Sequence, residues 1–435
     1  MFNFLLGLIL LIIFMVVFIS SYRRNRDLFS PLCIFSLLQG LRYVPDMMTS
    51  SVHYSISGIE KEYFRVFGIE LLVLTFVLFG YYSVKWNYNY EYKVTYKGKD
   101  KNVANMSNIL MWGGAVATII GLIFTYLFIK RVGGLAYVLT HSKDMAYNNG
   151  VAYISSLRFL VVFGTLLFMA SKKRIGIAFG IISFIVYCMS FLIFTSRSPV
   201  FEAVLILLMF INYAYSKYRI RDFFKPRYLV FFASAVFIIA LLPQIRDSGG
   251  FTSNYTYESK MGSVFGTFLN QFSYTGRDAF AYSHFGLDNF WYGRNFINVI
   301  CAPLPSAIFS WKPPVDDGMY LCNLMRGYNV VPPSNVFPIY NSIPFSTQSS
   351  MYANFGIVGV IVGSIIIGRL YAKAYMRIKD IGGDPLMVVV YFAIVYQLEL
   401  SSLSIVQTLI PVVLGFVFFK VMFGWRIVKC YYDDN

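Results

Sequence analysis

IRDSGGFTSNYTYESKMGSVFGTFLNQFSYTGRDAFAYSHFG, residues 245–286, opens a polar stretch that continues to Met351. Residues 245–351 hold six basic residues, six acidic residues, His284 and eight of the fifteen prolines of the chain. So many charges cannot enter the hydrocarbon core of a bilayer, where no water solvates them. The stretch therefore predicts one large loop outside the membrane, and the flanking sequence has the opposite character.

The composition on both sides of this loop is that of a membrane protein. The 435 residues are 57% hydrophobic and only 13% charged, whereas soluble domains are about a quarter charged. Apolar runs recur at about the 20-residue length that crosses a hydrocarbon core. A barrel would show short alternating segments instead. The net charge of +16 does not indicate nucleic-acid binding, because the basic residues flank apolar runs rather than form one basic domain.

Eleven helical spans are predicted from these runs. They lie at roughly 3–20, 28–44, 64–83, 108–129, 151–170, 175–194, 199–216, 228–244, 351–371, 385–402 and 404–424. With eleven spans, 23 of the 37 Lys and Arg residues fall in alternate connections on one side. Basic connections face the cytoplasm, so we expect an outside N-terminus, a cytoplasmic C-terminus and an extracytoplasmic long loop.

This topology predicts three regions and an all-α polytopic fold. An N-terminal bundle of about eight helices would occupy residues 1–244, the loop 245–350, and about three further helices with a short cytoplasmic tail 351–435. We expect the loop to form short helices with few or no strands. The first apolar run, Phe4–Ile19, lacks a basic n-region and a small-residue cleavage site, so we expect a retained helix. Cys301 and Cys322 share the loop, which leaves a disulfide open there.

Arginines at the predicted outer side of the bilayer are the first candidate site residues. Arg42 ends the second span, Arg158 lies inside the fifth, Arg197 lies in a turn and Arg246 closes the eighth. A charge at membrane depth normally faces a cavity or a partner, and arginine suits phosphate because it donates in a bidentate way. The pattern indicates an outward-facing anion pocket. Pairing with lipid phosphate or a loop acid is the structural alternative.

The segment SYTGRDAFAYSHFG, residues 273–286, concentrates further candidates. If it is helical, Arg277 and His284 lie on neighbouring faces, while Asp278 and Tyr282, four residues apart, share one face. An amphipathic helix without a catalytic role is the alternative. Glu399, near the outer end of the tenth span, would pair with an arginine, bind sugar or make a helix–helix hydrogen bond.

Four segments together resemble one family. They are the Gly-aromatic start at Gly293–Phe296, the Pro-rich turn ending at Lys312-Pro313, YANFGIVGVIVG at Tyr352–Gly363, and FTSRSPV in a turn between spans. These segments, with one large outer loop late in the chain, resemble the bacterial O-antigen polymerase (Wzy) family, the oligosaccharide repeat-unit polymerases.

The resemblance implies a GT-C-like glycosyltransferase of the bacterial inner (plasma) membrane, in lipopolysaccharide or other polysaccharide biosynthesis. Its substrates would be oligosaccharides on undecaprenyl pyrophosphate: the growing glycan leaves one carrier and joins a new repeat unit on the outer face. A chain-length-regulating co-polymerase would be a further partner. No cofactor is implied, and no metal motif is recognised.

The same resemblance suggests roles for the candidates. The pyrophosphate leaving group develops negative charge that cations stabilise. The expected pyrophosphate ligands are Arg158, Arg197, Arg246 and Arg277, and Arg294 ranks after them. The candidate bases for the attacking hydroxyl are His284 and Asp278. Tyr282 and Glu399 are the candidate sugar-binding residues.

Three other functions remain open from the sequence. An O-antigen ligase would share the architecture but use another acceptor. A transporter or flippase of lipid-linked oligosaccharide would show two related halves, and no internal repeat is visible. A structural membrane protein would not need arginines at membrane depth.

Overall fold

The computed structural model describes residues 2–49, 62–85, 101–135, 152–192, 198–215, 273–304 and 308–423. The described chain is helical and contains no strand. Its helices, in order, are α1 (Phe2–Asn25), α2 (Pro31–Thr49), α3 (Tyr63–Tyr82), α4 (Lys101–Val132), α5 (Ala152–Leu157), α6 (Leu160–Ala170), α7 (Arg174–Leu192), α8 (Ser198–Ala214), α9 (Thr275–His284), α10 (Phe296–Cys301), α11 (Gly318–Met325), α12 (Thr347–Ile381), α13 (Pro385–Phe392) and α14 (Ser402–Phe423). A π-helical segment, Ala393–Gln397, follows α13.

Six of these helices are long and apolar enough to cross a bilayer by length and composition. They are α1, α3, α4 from Met106 onward, α7 to Phe191, α12 and α14. Three shorter apolar helices accompany them: Ile154–Ala170, Ser198–Ala214 and Pro385–Gln397. Eleven spans and an all-α polytopic fold were predicted. The all-α fold is confirmed for the described residues, and the six long apolar helices are consistent with a polytopic membrane protein, while the number of eleven spans stays a prediction. The predicted span at 228–244 lies outside the described residues.

The chain forms two compact units that differ from the three predicted regions. The first unit comprises Met1–Trp86, Gly266–Met376 and Ile394–Leu409. The second comprises Asn87–Phe265, Arg377–Ala393 and Ile410–Asn435. The two units are defined by contacts between residues, whereas the three regions were defined by predicted membrane topology. The units therefore do not test the three regions, which stay a prediction.

In the first unit, α1 packs on α2 and α3, and the loop helix α9 packs on α2 and α3. Glycines allow α3 and α12 to approach closely. A Cβ on Gly80 would lie 2.4 Å from the Ile365 carbonyl oxygen, and one on Gly368 would lie 2.2 Å from that of Val77. Small residues at such contacts are typical of helix packing in membranes.

A kink in α12 connects this helix to the long loop. Phe355 and Gly356 leave the helical conformation, and Gly356 has φ +61° and ψ −149°, a region that essentially only glycine adopts. The backbone N–H of Trp291 donates to the Ala353 carbonyl (2.9 Å) and that of Tyr292 to the Asn354 carbonyl (3.2 Å). The kink thus provides acceptors that hold the loop against the start of the long helix.

The described part of the loop forms the short helices α9, α10 and α11 around aromatic side chains. Trp291 is 1% exposed and packs edge-on against Phe285, Tyr320 and Phe345, with ring centroids 5.2–5.9 Å apart. Cys301 and Cys322 are free thiols. The loop therefore packs around an aromatic core without a bond between these two cysteines.

In the second unit, α4 packs on α5 and α6, α6 packs on α7, and α8 packs on α13. Gly164 and Gly121 lie at the contact of α4 with α6. A Cβ on Gly164 would lie 2.2 Å from the Thr118 Oγ1, and one on Gly121 would lie 2.5 Å from the Val161 side chain. The helical run through the fifth predicted span breaks into α5 and α6 at Arg158 and Phe159.

Candidate functional site

Helix α9 places the central residues of the candidate site in the first unit. The backbone N–H of Tyr274 donates to the Arg42 carbonyl of α2 (3.2 Å), which joins the start of α9 to that helix. Asp278 and Tyr282 are fully buried on one face of α9. The His284 ring is exposed and stacks on Phe280, with ring centroids 5.3 Å apart. The spacing expected from the sequence therefore holds in the helix.

Asp278 accepts hydrogen bonds inside the protein. The Tyr43 hydroxyl donates to its Oδ2 at 2.6 Å, and the Ser346 hydroxyl donates to the same oxygen at 2.9 Å. Burial raises the pKa of Asp278 to about 6, although these hydrogen bonds favour the charged form and oppose the rise. Asp278 is therefore protonated much more easily than an aspartate in water.

A second buried acid connects to Asp278 through two side chains. The Gln348 amide Nε2 donates to the Glu70 Oε1 at 2.5 Å and also to the Tyr43 hydroxyl. Glu70 is 1% exposed and lies within the apolar helix α3. Tyr282 lies close enough for the charges of Asp278 and Glu70 to act on its hydroxyl. We call Tyr43, Glu70, Asp278, Tyr282 and Gln348 the carboxyl cluster.

The carboxyl cluster leaves several buried polar atoms without a hydrogen-bond partner. Among the described residues, these are the Asp278 Oδ1, the Glu70 Oε2, the Gln348 Oε1 and the Tyr282 hydroxyl. Buried polar atoms are nearly always satisfied in native proteins. The cluster is therefore chemically incomplete as it stands.

Two arginines approach one tyrosine ring beside the carboxyl cluster. The Arg42 Cζ lies 4.7 Å and the Arg277 Cζ 3.9 Å from the centroid of the Tyr274 ring. The Arg42 guanidinium forms an ion pair with the Glu399 carboxylate. Arg277 donates to the Ser273 and Pro344 carbonyls, and no carboxylate among the described residues pairs with it. We call Arg42 and Arg277 the arginine pair.

A small cavity borders both groups. Arg42, Glu399 and Gln348 line it, together with apolar side chains of α2, α3 and α12 and the Tyr396 ring. Its volume is about 30 Å³, whereas one water molecule needs roughly 10–15 Å³ of such space. A sugar or a pyrophosphate would enter only if the wall opened.

A separate polar group fastens α11 to the start of α14. The Ser402 backbone N–H donates to the Asp317 Oδ2 (2.9 Å), and the Ser402 hydroxyl donates to the Asn295 carbonyl (2.8 Å). The Asn295 side chain also donates to Asp317 at 3.2 Å. Burial raises the pKa of Asp317 to about 6. These bonds hold loop and helix together, which is a structural role.

The predicted arginines occupy different places. Arg277 belongs to the arginine pair, and Arg294 is exposed on the loop. Arg158 lies in the second unit, where it donates to the Ser190 carbonyl and hydroxyl, both at 3.1 Å. Arg197 and Arg246 lie outside the described residues, so the convergence of all four arginines stays a prediction.

The other candidate site residues differ in their exposure to solvent. The pKa of His284 is lowered by partial desolvation, so its ring is neutral at physiological pH. Tyr282 is buried in the carboxyl cluster, and Glu399 has an arginine partner, one of the three arrangements expected for it. No group of three or more His, Cys, Asp or Glu side chains in the described ranges is arranged to hold a metal ion.

The sequence interpretation missed Glu70, Tyr43 and Gln348. A signal for Glu70 was present, because an acid in the middle of an apolar span is a candidate functional residue by itself. Tyr43 and Gln348 carried no comparable signal, since tyrosine and glutamine are common at helix ends. Their part in the site comes from contacts between residues hundreds of positions apart.

Comparison of the chain with models of protein families, with curated proteins and with solved structures finds no match in any of the three. The candidate site therefore stands on its own geometry.

Proposed function

We propose that this protein is a membrane glycosyltransferase that polymerises lipid-linked oligosaccharide on the outer face of the bacterial plasma membrane. The donor is a glycan on undecaprenyl pyrophosphate, and the acceptor is a repeat unit on a second carrier. The proposal includes eleven spans, a GT-C-like arrangement, an outside N-terminus and a cytoplasmic C-terminus.

The arginine pair is the observation that carries the proposal. Two guanidiniums gather at one tyrosine ring, and only Arg42 has an ion-pair carboxylate, Glu399, among the described residues. Arginine is the side chain best suited to bind a pyrophosphate in a bidentate way. A partly desolvated cation pair would stabilise the charge that develops on the departing pyrophosphate.

His284 is the better of the two candidate bases. Its ring is exposed and neutral, so it can reach an acceptor hydroxyl and take its proton. Asp278 is enclosed by its donors Tyr43 and Ser346. Tyr282 is fully buried and Glu399 lines the small cavity, so each would contact a sugar only after a local opening of the structure.

A gene deletion in the native host, complemented by the wild-type gene, tests this function. If the protein is a polymerase, the deletion replaces a ladder of glycan lengths on gels by a single repeat unit on its final acceptor. If it is a flippase, the deletion removes all surface glycan. If it is a ligase, full-length glycan accumulates on the lipid carrier instead. Either of the last two outcomes would overturn the proposal.

Substitution of Arg277 tests the assigned pyrophosphate site. We expect Arg277→Ala to lower polymerisation by roughly a hundred- to thousandfold, the usual effect of losing one donor to developing charge. Arg277→Lys would restore part of the activity, because it keeps the charge but loses the planar fork. Arg326→Ala, which removes an exposed arginine of the same loop, is the matched control. Normal ladders from Arg277→Ala at normal protein level would place the site elsewhere.

A further inference from the structure

The carboxyl cluster contains two buried acids that are connected by a chain of hydrogen bonds. Glu70 and Asp278 are 1% and 0% exposed, and the chain Glu70–Gln348–Tyr43–Asp278 connects them by hydrogen bonds. Only two side chains separate the two carboxyl groups. One oxygen of each carboxyl group lacks a partner among the described residues.

The nearby cations are engaged elsewhere. Arg42 pairs with Glu399, and Arg277 donates to backbone carbonyls. Arg65 of α3 contacts the Tyr352 hydroxyl and, at 3.7 Å, Glu62. Among the described residues, no arginine or lysine forms an ion pair with Glu70 or Asp278. The protein thus supplies hydrogen-bond donors to both acids, while Arg42 and Arg277 act on them from a distance and make their direct contacts elsewhere.

Two ionised carboxylates would not be stable in this setting. Burial of an unpaired charge is strongly unfavourable, and groups so placed normally take up a neutralising partner. Two like charges close together disfavour double ionisation further. One positive charge would relieve both effects, because neutralising either carboxylate removes one buried charge and the repulsion between the two.

We propose that Glu70 and Asp278 together bind one monovalent positive charge, a proton or a sodium ion. The unpartnered Gln348 Oε1 belongs to the same amide that donates to Glu70, so a further oxygen acceptor lies within the cluster. Carboxylate and carbonyl oxygens are the ligands that hard cations prefer. A proton would form a hydrogen bond from one acid toward a free oxygen, whereas sodium would coordinate several of them.

The charged and titratable groups around the pair come from every element packed against it. They are Arg42, Tyr43 and Asp46 of α2, Arg65 of α3, Tyr274, Arg277 and Tyr282 at α9, Tyr352 of α12, and Glu399 after the π-helical segment. The Ser273 hydroxyl donates to Asp46, and Glu399 has Arg42. Glu70 and Asp278 are therefore the acids in this group with free oxygens and no ion-pair partner among the described residues.

This inference holds whether or not the protein is a transferase, because it concerns the charge state of the folded molecule. Infrared spectroscopy of the purified full-length protein at neutral pH, in sodium-free potassium buffer, tests it. If a proton is bound, the spectrum should contain the C=O stretching band of a protonated carboxylic acid. The band should disappear or shift in Glu70→Gln or in Asp278→Asn, and it should persist in Asp380→Asn, which removes an exposed acid of the second unit.

A sodium titration separates the two sources of charge. If sodium is the ligand, it should remove the acid band and raise the melting temperature of the wild type more than potassium does. The double variant Glu70→Gln with Asp278→Asn should lose that difference. If the proton is the ligand, sodium and potassium act alike and the band remains.

One combined outcome would overturn the inference: no protonated-acid band in sodium-free buffer and equal melting temperatures in sodium and potassium. An acid band that persists unchanged in Glu70→Gln and in Asp278→Asn, with equal melting temperatures in sodium and potassium, would overturn it as well. If one variant does not fold, the other still assigns the band. Glycan ladders are not a readout here, so loss of the proposed transferase function would leave this result intact.

Discussion

The first unit and the second unit each bury a guanidinium in a different way. In the first unit, Arg42 pairs with Glu399 and lies over the Tyr274 ring. In the second, Arg158 is 1% exposed, and its Cζ lies 3.8 Å from the Phe191 ring centroid and 4.8 Å from that of Phe128. Arg42 therefore has a carboxylate partner, while the contacts of Arg158 include two ring faces and the carbonyl and hydroxyl of Ser190.

The difference indicates how each region could work. A site held by opposite charges is sensitive to pH, to ions and to the loss of one partner, because the other is then left uncompensated. A guanidinium packed against ring faces depends instead on how those rings are packed. The first unit is the better place to look for ligand-dependent behaviour, and four stability measurements can break or sharpen this comparison.

The largest effect should follow from removal of Arg42. We expect Arg42→Ala to lower the free energy of unfolding by about 3–5 kcal/mol, because Glu399 would remain largely buried without its partner. Unfolding in mixed micelles measures this. Arg377→Ala, which breaks an exposed i,i+3 pair with Asp380, should cost no more than about 1 kcal/mol. Equal losses in both variants would contradict the view that the first unit depends on its ion pair.

The pH dependence of stability should show the next largest effect. Asp278 has a pKa near 6 in the folded protein, above its usual value, so the folded state holds its proton more tightly than the unfolded chain. Its stabilising contribution is complete below about pH 4 and is lost as the pH rises through about 6. Between pH 4 and 7, the wild type should lose about 2–3 kcal/mol relative to Asp278→Asn.

Potassium buffer removes the influence of sodium from this comparison. Asp317→Asn is the second arm, because Asp317 has a similarly raised pKa without a neighbouring arginine pair. If Asp278→Asn follows the wild type across the whole range, its carboxyl group does not titrate in this window.

The ring contacts of Arg158 should have an intermediate effect. Phe191→Leu removes the nearer ring, and desolvated cation–π contacts contribute about 2 kcal/mol. Phe179→Leu is the control, since Phe179 is exposed on the same helix α7. The ratio of the two losses is the useful quantity. A ratio near one would mean that rings do little for the guanidinium.

The smallest effect should come from Ser402. Ser402→Ala removes the hydroxyl bond to the Asn295 carbonyl but keeps the backbone N–H bond to Asp317. A neutral hydrogen bond contributes about 1 kcal/mol, so a loss of that size is expected in the same unfolding assay. Ser283→Ala on the exposed face of α9 should change little. A loss as large as that of Arg42→Ala would mean that the fastening of α14 to the loop governs the first unit.

Part of the site could be read from local sequence. The spacing in TGRDAFAYSH already places Asp278 and Tyr282 on one face and His284 on a neighbouring one, because four residues make about one helical turn. Which face is buried is known only from the structure. Glu399 in an otherwise apolar segment already indicated a need for a partner. The identity of that partner, Arg42, could not be read, since the two residues lie hundreds of positions apart.

The sequence by itself determined the helical membrane class, because apolar length and the cost of unpaired backbone groups in lipid leave few alternatives. It also identified the polar stretch 245–351, whose charges predict a loop outside the hydrocarbon core. Only the tertiary structure decided that Tyr43 and Gln348 join Glu70 to Asp278, and that Arg277 shares a ring with Arg42. Such contacts depend on which helices pack together. The side chains of one helix do not specify which helix lies beside it.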